Sequence, residues 1–146
     1  MMKKFFPYLL VFIQLTSLLF LLVSAPALAL TPQGLLVEVA GIFLGLRSIY
    51  IMNVGNFNIT PSIKSNGILM EKGPYKYIRH PMYLAQVVVV VPLVVEYFTW
   101  IRLAVIIILI VNLLVKIQFE EKQLESHFPG YAEYRQKTWK LIPFIY

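Results

Sequence analysis

Residues 5–37 read FFPYLLVFIQLTSLLFLLVSAPALALTPQGLLV, a run of 33 residues without a charged side chain. A helix needs about 20 apolar residues to cross the hydrocarbon core of a bilayer, so this run is too long for one span. Pro26 and the Thr31-Pro32 pair interrupt it, and proline disrupts a helix because it lacks a backbone N–H. The run therefore predicts two membrane helices, over about residues 6–24 and about residues 33–52.

Two more apolar segments follow the charged middle of the chain. They predict helices over about residues 81–100 and about residues 102–121, the first opened by Pro81. Only the stretch from Glu96 to Arg102 separates them, so they are expected to form a tight antiparallel hairpin. The predicted fold is an all-α integral membrane bundle of about four transmembrane helices, with a cytosolic loop and an amphipathic C-terminal tail, in one domain over residues 1–146.

Composition limits the chemistry. Only 20 of the 146 residues are charged, 13 Lys or Arg plus 7 Glu, and 59% are hydrophobic, which leaves no room for a separate soluble catalytic domain. The absence of cysteine excludes a thiolate nucleophile and cysteine-based metal sites, and we predict no metal site. Catalysis must therefore come from His, Glu, Arg, Lys, Tyr or a bound cofactor.

The basic charges predict the orientation. With four spans, all of the 13 Lys and Arg residues except Arg102 fall on one side of the membrane. The positive-inside rule then places both termini and the central loop in the cytoplasm, in the cell or inner membrane if the source is prokaryotic. Because topology explains the net charge of +6, no nucleic-acid partner is predicted.

Polar side chains concentrate in two segments, residues 73–83 and residues 116–121, at the start of the third predicted helix and the end of the fourth. Since these helices form a hairpin, Arg79 and His80 are expected to face Glu120 and Glu121. A cationic cluster at a helix N-terminus suits anionic groups, and the carboxylates suit cationic or hydroxyl groups. The sequence therefore predicts a site for a zwitterionic ligand.

The motif from Gly73 to Tyr83, GPYKYIRHPMY, is followed by a membrane hairpin, the Glu120-Glu121 pair, FPGYAEY from Phe128 and LIP ending at Pro143. In this order the motifs resemble the isoprenylcysteine carboxyl methyltransferase family, and they are similar to related phospholipid methyltransferases. The resemblance covers about residues 56–143. It implies an integral-membrane enzyme that uses S-adenosyl-L-methionine and methylates a lipophilic acceptor, either the carboxylate of a prenylated compound or a lipid head group, within the membrane lipids.

The resemblance also implies which residues bind the cofactor. These are Gly67, Ile68, Leu69, Met70, Tyr75, His80, Pro81, Met82, Tyr83, Glu120 and Glu121. For catalysis we single out Arg79, His80 and Lys116. A carboxylate acceptor needs only a cation, Arg79 or Lys116, to hold it, whereas an amine, phenol or thiol needs a base such as His80 or a glutamate. The family has arginine where Lys116 stands, and lysine lacks its bidentate geometry.

Two alternatives remain from the residues. Sterol-type membrane reductases carry a similar His-Pro-x-Tyr segment and bind NADPH, although they usually have Asn where Met82 stands. The second alternative is a non-enzymatic membrane subunit, in which the polar residues only set the membrane topology and pack the helices. In that interpretation Lys116 extends toward the lipid head groups, and Glu120 and Glu121 form a solvated helix face. The aromatic residues of the tail are expected to anchor it at the membrane interface.

Overall fold

The computed structural model describes residues 2–26, 28–56 and 68–145. Five α-helices and one 3-10 turn form this part of the chain, and it contains no extended strand. The elements are α1 (Met2–Val23), α2 (Pro32–Asn56), the 3-10 turn (Gly73–Lys76), α3 (Pro81–Glu96), α4 (Trp100–His127) and α5 (Tyr131–Lys137). The predicted all-α bundle is confirmed, while Gly67 and most of the central loop lie outside the described residues.

Three helices are long and apolar enough to cross a membrane: Phe5–Val23, Pro32–Met52 and Trp100–His127. The fourth apolar helix, α3, has 16 residues. At 1.5 Å per residue it is roughly 24 Å long, somewhat less than the hydrocarbon thickness of a bilayer. The chain is therefore an integral membrane protein with a helical bundle.

The ends of the hairpin differ from the sequence prediction. The third helix ends at Glu96 rather than near residue 100, and the fourth runs from Trp100 to His127 rather than ending near residue 121. Thr99 explains where the fourth helix begins, because its hydroxyl accepts a hydrogen bond from the Arg102 N–H at 3.2 Å and caps that helix. Residues 97–99 thus form the turn of the hairpin.

Packing pairs α2 with α3 and α1 with α4, and α3 also contacts both α1 and α4. Buried side chains at this centre include Leu21, Val90, Leu109 and Leu113. A Cβ at Gly41 would lie 3.0 Å from the Val89 backbone nitrogen, so only glycine lets α2 approach α3 this closely. Within the described residues α1 and α2 make little contact, and the space between them continues into the cavity described below.

The two ends of the bundle differ in what they hold. At the end that holds the hairpin turn, residues 24–26 and 28–31, between α1 and α2, are tied to that turn by Glu96 and Arg102. Glu96 accepts hydrogen bonds from the Leu30 and Thr31 backbone N–H groups, and Arg102 donates to the Ser24 carbonyl. At the site end, the start of α3 meets the last turns of α4, and here the polar segments lie together.

Candidate functional site

The site begins with the turn that leads into α3. Gly73 has φ +57°, and a Cβ there would lie 2.1 Å from the Ile51 side chain, so this position requires glycine for both conformation and space. The 3-10 turn that follows buries Tyr75, whose carbonyl accepts a hydrogen bond from the Tyr134 hydroxyl at 2.7 Å. Burial raises the pKa of Tyr75 above its usual range, so its hydroxyl stays neutral. The turn is thereby fixed against α2 and the tail.

The C-terminal tail pairs with the residues just before α3. The Arg79 N–H donates to the Trp139 carbonyl at 2.8 Å, and the His80 N–H donates to the Lys140 carbonyl at 3.1 Å. This pairing draws Tyr131 and Tyr134 inward, where they are 0% and 6% exposed. Their predicted role as interface anchors is therefore wrong, although Trp139 remains exposed and accessible to a membrane surface.

Arg79 joins this tail to α4. Its Nε lies 2.7 Å from Glu121 Oε1, and both side chains are nearly buried, at 6% and 11% exposure. The same guanidinium donates to the Arg135 carbonyl at 3.1 Å and to the Thr138 hydroxyl at 3.2 Å. Glu121 also lies 3.8 Å from the Lys140 ammonium. Arg79 and Glu121 therefore hold the tail in place, and Arg79 also lines the cavity.

His80 sits between the two carboxylates, as the sequence predicted. Its Nδ1 lies 3.5 Å from Glu120 Oε2 and its Nε2 lies 3.4 Å from Glu121 Oε1. Despite that approach, Nε2 makes no hydrogen bond to any described residue. Burial alone lowers the pKa of His80, but Glu120 and Glu121 together outweigh burial and raise it above the usual histidine value. The two carboxylates thus stabilise the protonated form of the imidazole.

Glu120 shares His80 with Glu121 but has different partners otherwise. It accepts a hydrogen bond from the Tyr83 hydroxyl, and the Tyr83 ring stacks on His80 with centroids 5.7 Å apart. Successive residues on a helix point about 100° apart, so the two neighbouring carboxylates of α4 lie in different surroundings. Glu120 lines the cavity and Glu121 does not.

A cavity of about 640 Å³ runs from this cluster into the bundle. Its volume falls within the usual range for sites that bind small molecules and cofactors. The sequence-predicted cofactor residues line it, except Glu121 and Gly67, the latter outside the described residues. The lining members of that set are Ile68, Leu69, Met70, Tyr75, His80, Pro81, Met82, Tyr83 and Glu120.

Lys116 lies deeper in the same cavity. It is 2% exposed, its ammonium donates to Gln14 Oε1 at 2.7 Å, and it lies 5.1 Å from the centroid of the Tyr83 ring. Gln14 in turn donates from Nε2 to Gln86 Oε1 at 2.7 Å. Lys116 therefore points into the bundle and does not extend toward lipid head groups.

Some lining residues were missed by sequence reasoning. Gln14 and Tyr134 both line the cavity, together with Gln123, Leu124 and Phe128 near the end of α4. Gln14 had a detectable signal, because it is the first polar side chain after Tyr8 in an apolar run. Gln123 and Leu124 follow Glu120 at helical spacing of three and four residues, so a helix continued past residue 121 would have placed them on the same face.

The cavity suits a cofactor that combines positive charge, hydroxyl groups and a flat ring. Glu120 offers a carboxylate at its polar end, and the unsatisfied His80 Nε2 is a buried polar atom in the same cluster. Tyr75 and Tyr83 supply aromatic surface. Among the described residues, no group of three or more His, Asp, Glu or Cys side chains is placed to hold a metal ion.

Comparison with known protein families adds one match. The model of the isoprenylcysteine carboxyl methyltransferase family matches residues 35–126, from α2 through nearly all of α4. Comparisons with curated proteins and with solved structures found no match. The matched range contains His80, Lys116 and Glu120 but not α1 or the tail.

Proposed function

Because the chain belongs to the isoprenylcysteine carboxyl methyltransferase family, and is therefore a membrane methyltransferase, we propose that it methylates a lipophilic acceptor from S-adenosyl-L-methionine. The acceptor is a carboxylate of a prenylated compound or the head group of a lipid. The observation that carries the proposal is the cavity of about 640 Å³, in which Glu120, Tyr83 and His80 meet at the polar end of an otherwise apolar space.

In this proposal the polar end holds the cofactor. Glu120 attracts its cationic or hydroxyl groups, Tyr75 and Tyr83 pack on its flat ring, and Ile68 to Met70 cover it from the loop. When bound, the cofactor would supply a methyl group from its sulfonium sulfur, the S–CH₃ bond breaking as the new bond to the acceptor forms. The protein's task is to align the reacting groups and exclude water.

Lys116 then holds the acceptor. An acceptor carboxylate loses no proton when it becomes a methyl ester, so it needs a positioned cation rather than a base. His80 is a poor candidate base, because its ring nitrogens face the carboxylates of Glu120 and Glu121, at 3.5 Å and 3.4 Å, and do not face the acceptor beside Lys116. These two features support a carboxylate acceptor over an amine, whose proton would have to be removed.

The apolar part of the cavity supports access from the bilayer. Leu15 and Leu18 of α1 line it on one side and Ile42 and Leu46 of α2 on the other, and the two helices make little contact with each other. A lipid tail can occupy this space while its polar group reaches Lys116. We also propose that the site end and both termini face the cytoplasm, on the distribution of Lys and Arg.

The direct test is calorimetric titration of the purified full-length protein in detergent, once with S-adenosylhomocysteine and once with NADPH. Saturable binding of S-adenosylhomocysteine without binding of NADPH supports the methyltransferase. Binding of NADPH alone would favour the reductase instead, and binding of neither to folded protein would contradict both. Transfer of a labelled methyl group into lipid extracts would then identify the acceptor.

A further inference from the structure

The first helix contributes to the cavity although it lies outside the matched family region. The match begins at residue 35, whereas α1 spans Met2–Val23. Several side chains of α1 nevertheless line the cavity, and Gln14 is the polar one among them. Its role must therefore be inferred from its contacts in this chain.

Gln14 is held by two hydrogen bonds to two different helices. Its Oε1 accepts from the Lys116 ammonium of α4 at 2.7 Å, and its Nε2 donates to Gln86 Oε1 of α3 at 2.7 Å. The residue is 6% exposed. An amide buried in a membrane bundle is costly unless it is bonded, so these contacts determine where the side chain points. The bond to Gln14 in turn helps to set where the ammonium lies.

Gln14, Gln86 and Lys116 form a second polar cluster, deeper in the bundle than the cluster of His80, Tyr83 and Glu120. Lys116 precedes Glu120 by four residues on α4, which places it roughly 6 Å further along the helix axis. Gln86 follows His80 by six residues on α3, a distance of roughly 9 Å into the bundle. All of these residues line the same cavity. Gln14, Gln86 and Lys116 are therefore within reach of the polar group of an acceptor that has its tail between α1 and α2, as in the proposed function.

We propose that Gln14 is a positioning residue that fixes the Lys116 ammonium to bind the anionic group of the methyl acceptor, an inference that rests on the proposed function. A lysine side chain has a long flexible stem. Without Gln14, the ammonium of Lys116 can turn toward Glu120, one helical turn away, and leave the acceptor position. Acceptor binding then weakens while the cofactor contacts at Glu120, Tyr83 and Tyr75 stay in place.

The test compares Gln14→Leu, Gln14→Glu and the control Gln118→Leu in the full-length protein. Gln118 is an exposed glutamine of α4, so its replacement makes the same chemical change outside the cavity. The acceptor probe is N-acetyl-S-farnesyl-L-cysteine. Gln14→Leu is expected to raise KM for this probe about tenfold, as for a lost hydrogen bond to a charged group, with kcat within about twofold. Gln14→Glu keeps an oxygen acceptor for Lys116 but adds a negative charge beside the anionic group of the probe, so KM should stay raised in this variant.

A second measurement does not depend on the acceptor. Lys116 is labelled with a membrane-permeant N-hydroxysuccinimide ester and its peptide is quantified by mass spectrometry. Because the ammonium then pairs with the Glu120 carboxylate and its proton is held more tightly, labelling is expected to be at least about threefold slower in Gln14→Leu than in wild type, as for the gain of a charge-assisted hydrogen bond. Gln118→Leu should label at the wild-type rate.

The outcomes separate the two proposals. Wild-type protein that binds no S-adenosylhomocysteine contradicts the proposed function, and the labelling rates then still decide whether Gln14 positions Lys116. If wild type binds S-adenosylhomocysteine and methylates the probe, while Gln14→Leu matches Gln118→Leu in KM and in labelling, the role of Gln14 is overturned and the proposed function stands. A parallel loss of kcat and S-adenosylhomocysteine affinity in Gln14→Leu would also overturn it, since that is general disruption.

Discussion

An arginine ties a connecting segment at each end of the bundle, but the two arginines have different surroundings. At the end that holds the hairpin turn, Arg102 donates to the Ser24 and Tyr97 carbonyls and to the Ser24 hydroxyl at 3.1 Å. At the site end, Arg79 donates to tail carbonyls in the same way but also pairs with Glu121 and lines the cavity. Rare charges in a membrane protein therefore do not identify a site by themselves. Their surroundings distinguish them, because the partners of Arg102 are two carbonyls and a hydroxyl, whereas Arg79 also pairs with a carboxylate and lines the cavity.

The largest expected effect comes from Arg79→Ala. This change leaves Glu121 nearly buried without its closest cation and removes three ties to the tail. Breaking a buried ion pair by removing one partner typically lowers the free energy of unfolding by about 3–5 kcal/mol. Thermal unfolding in detergent should show the loss, together with loss of S-adenosylhomocysteine binding.

Arg135→Ala is the matched control in the same tail. Arg135 pairs with Glu125 at 3.5 Å, and both side chains are more than half exposed, at 53% and 56%. An exposed pair of this kind contributes about 0.2–1 kcal/mol at most. Equal destabilisation by the two substitutions would contradict the role assigned to Arg79.

The next effect is on binding alone. Glu120 accepts a hydrogen bond from the Tyr83 hydroxyl. Glu120→Gln keeps the shape of the side chain and an oxygen for that bond, but it removes the negative charge from the cavity. Loss of a charge-assisted contact should weaken S-adenosylhomocysteine about tenfold or more, measured by calorimetry. Glu125→Gln, an exposed carboxylate of the same helix, should change nothing. Unchanged affinity in Glu120→Gln would remove Glu120 from the cofactor site.

Much of the site end was predictable because its signals are local. His80, Tyr83 and Glu120 fall on helical spacings at the facing ends of one hairpin, so apolar periodicity and a short turn were enough to bring them together. The tail was not predictable in this way. Its aromatic pattern is typical of an interface segment, whereas the backbone pairing of Arg79 with Trp139 joins residues 60 positions apart and buries Tyr131 and Tyr134.

The contribution of α1 was missed for a related reason. Pairing between helices that are distant in sequence depends on packing across the whole bundle, and sequence periodicity gives only the face of each helix. The bond between Gln14 and Lys116 spans 102 positions. A single glutamine in an apolar helix indicates an interhelical hydrogen bond, but it does not indicate which helix provides the partner.

Arg102→Met tests the other side of the comparison. The Ser24 and Tyr97 carbonyls lose a charged donor at the opposite end, which should lower the free energy of unfolding by about 1–3 kcal/mol. Because Arg102 lies far along α4 from Glu120, S-adenosylhomocysteine affinity should stay within about twofold, as is usual for distant independent sites. Arg102→Lys should recover part of the stability. A loss of affinity matching that of Glu120→Gln would mean that the two ends are not independent.

The smallest expected effect is a pH dependence confined to the site end. His80 has its pKa raised in the folded protein by Glu120 and Glu121 acting against burial, whereas the unfolded value is about 6.5. A raised folded-state pKa gives stability that is fully present below about pH 6.5 and is lost as the pH rises through the folded value. The Tm of wild type should therefore fall over this interval relative to that of His80→Asn, which cannot bind the proton.

The control is His127→Asn, at an exposed residue near the end of α4, and its Tm should follow that of wild type. A His80→Asn variant whose Tm falls in parallel with wild type would show that the proton is not held between the two carboxylates.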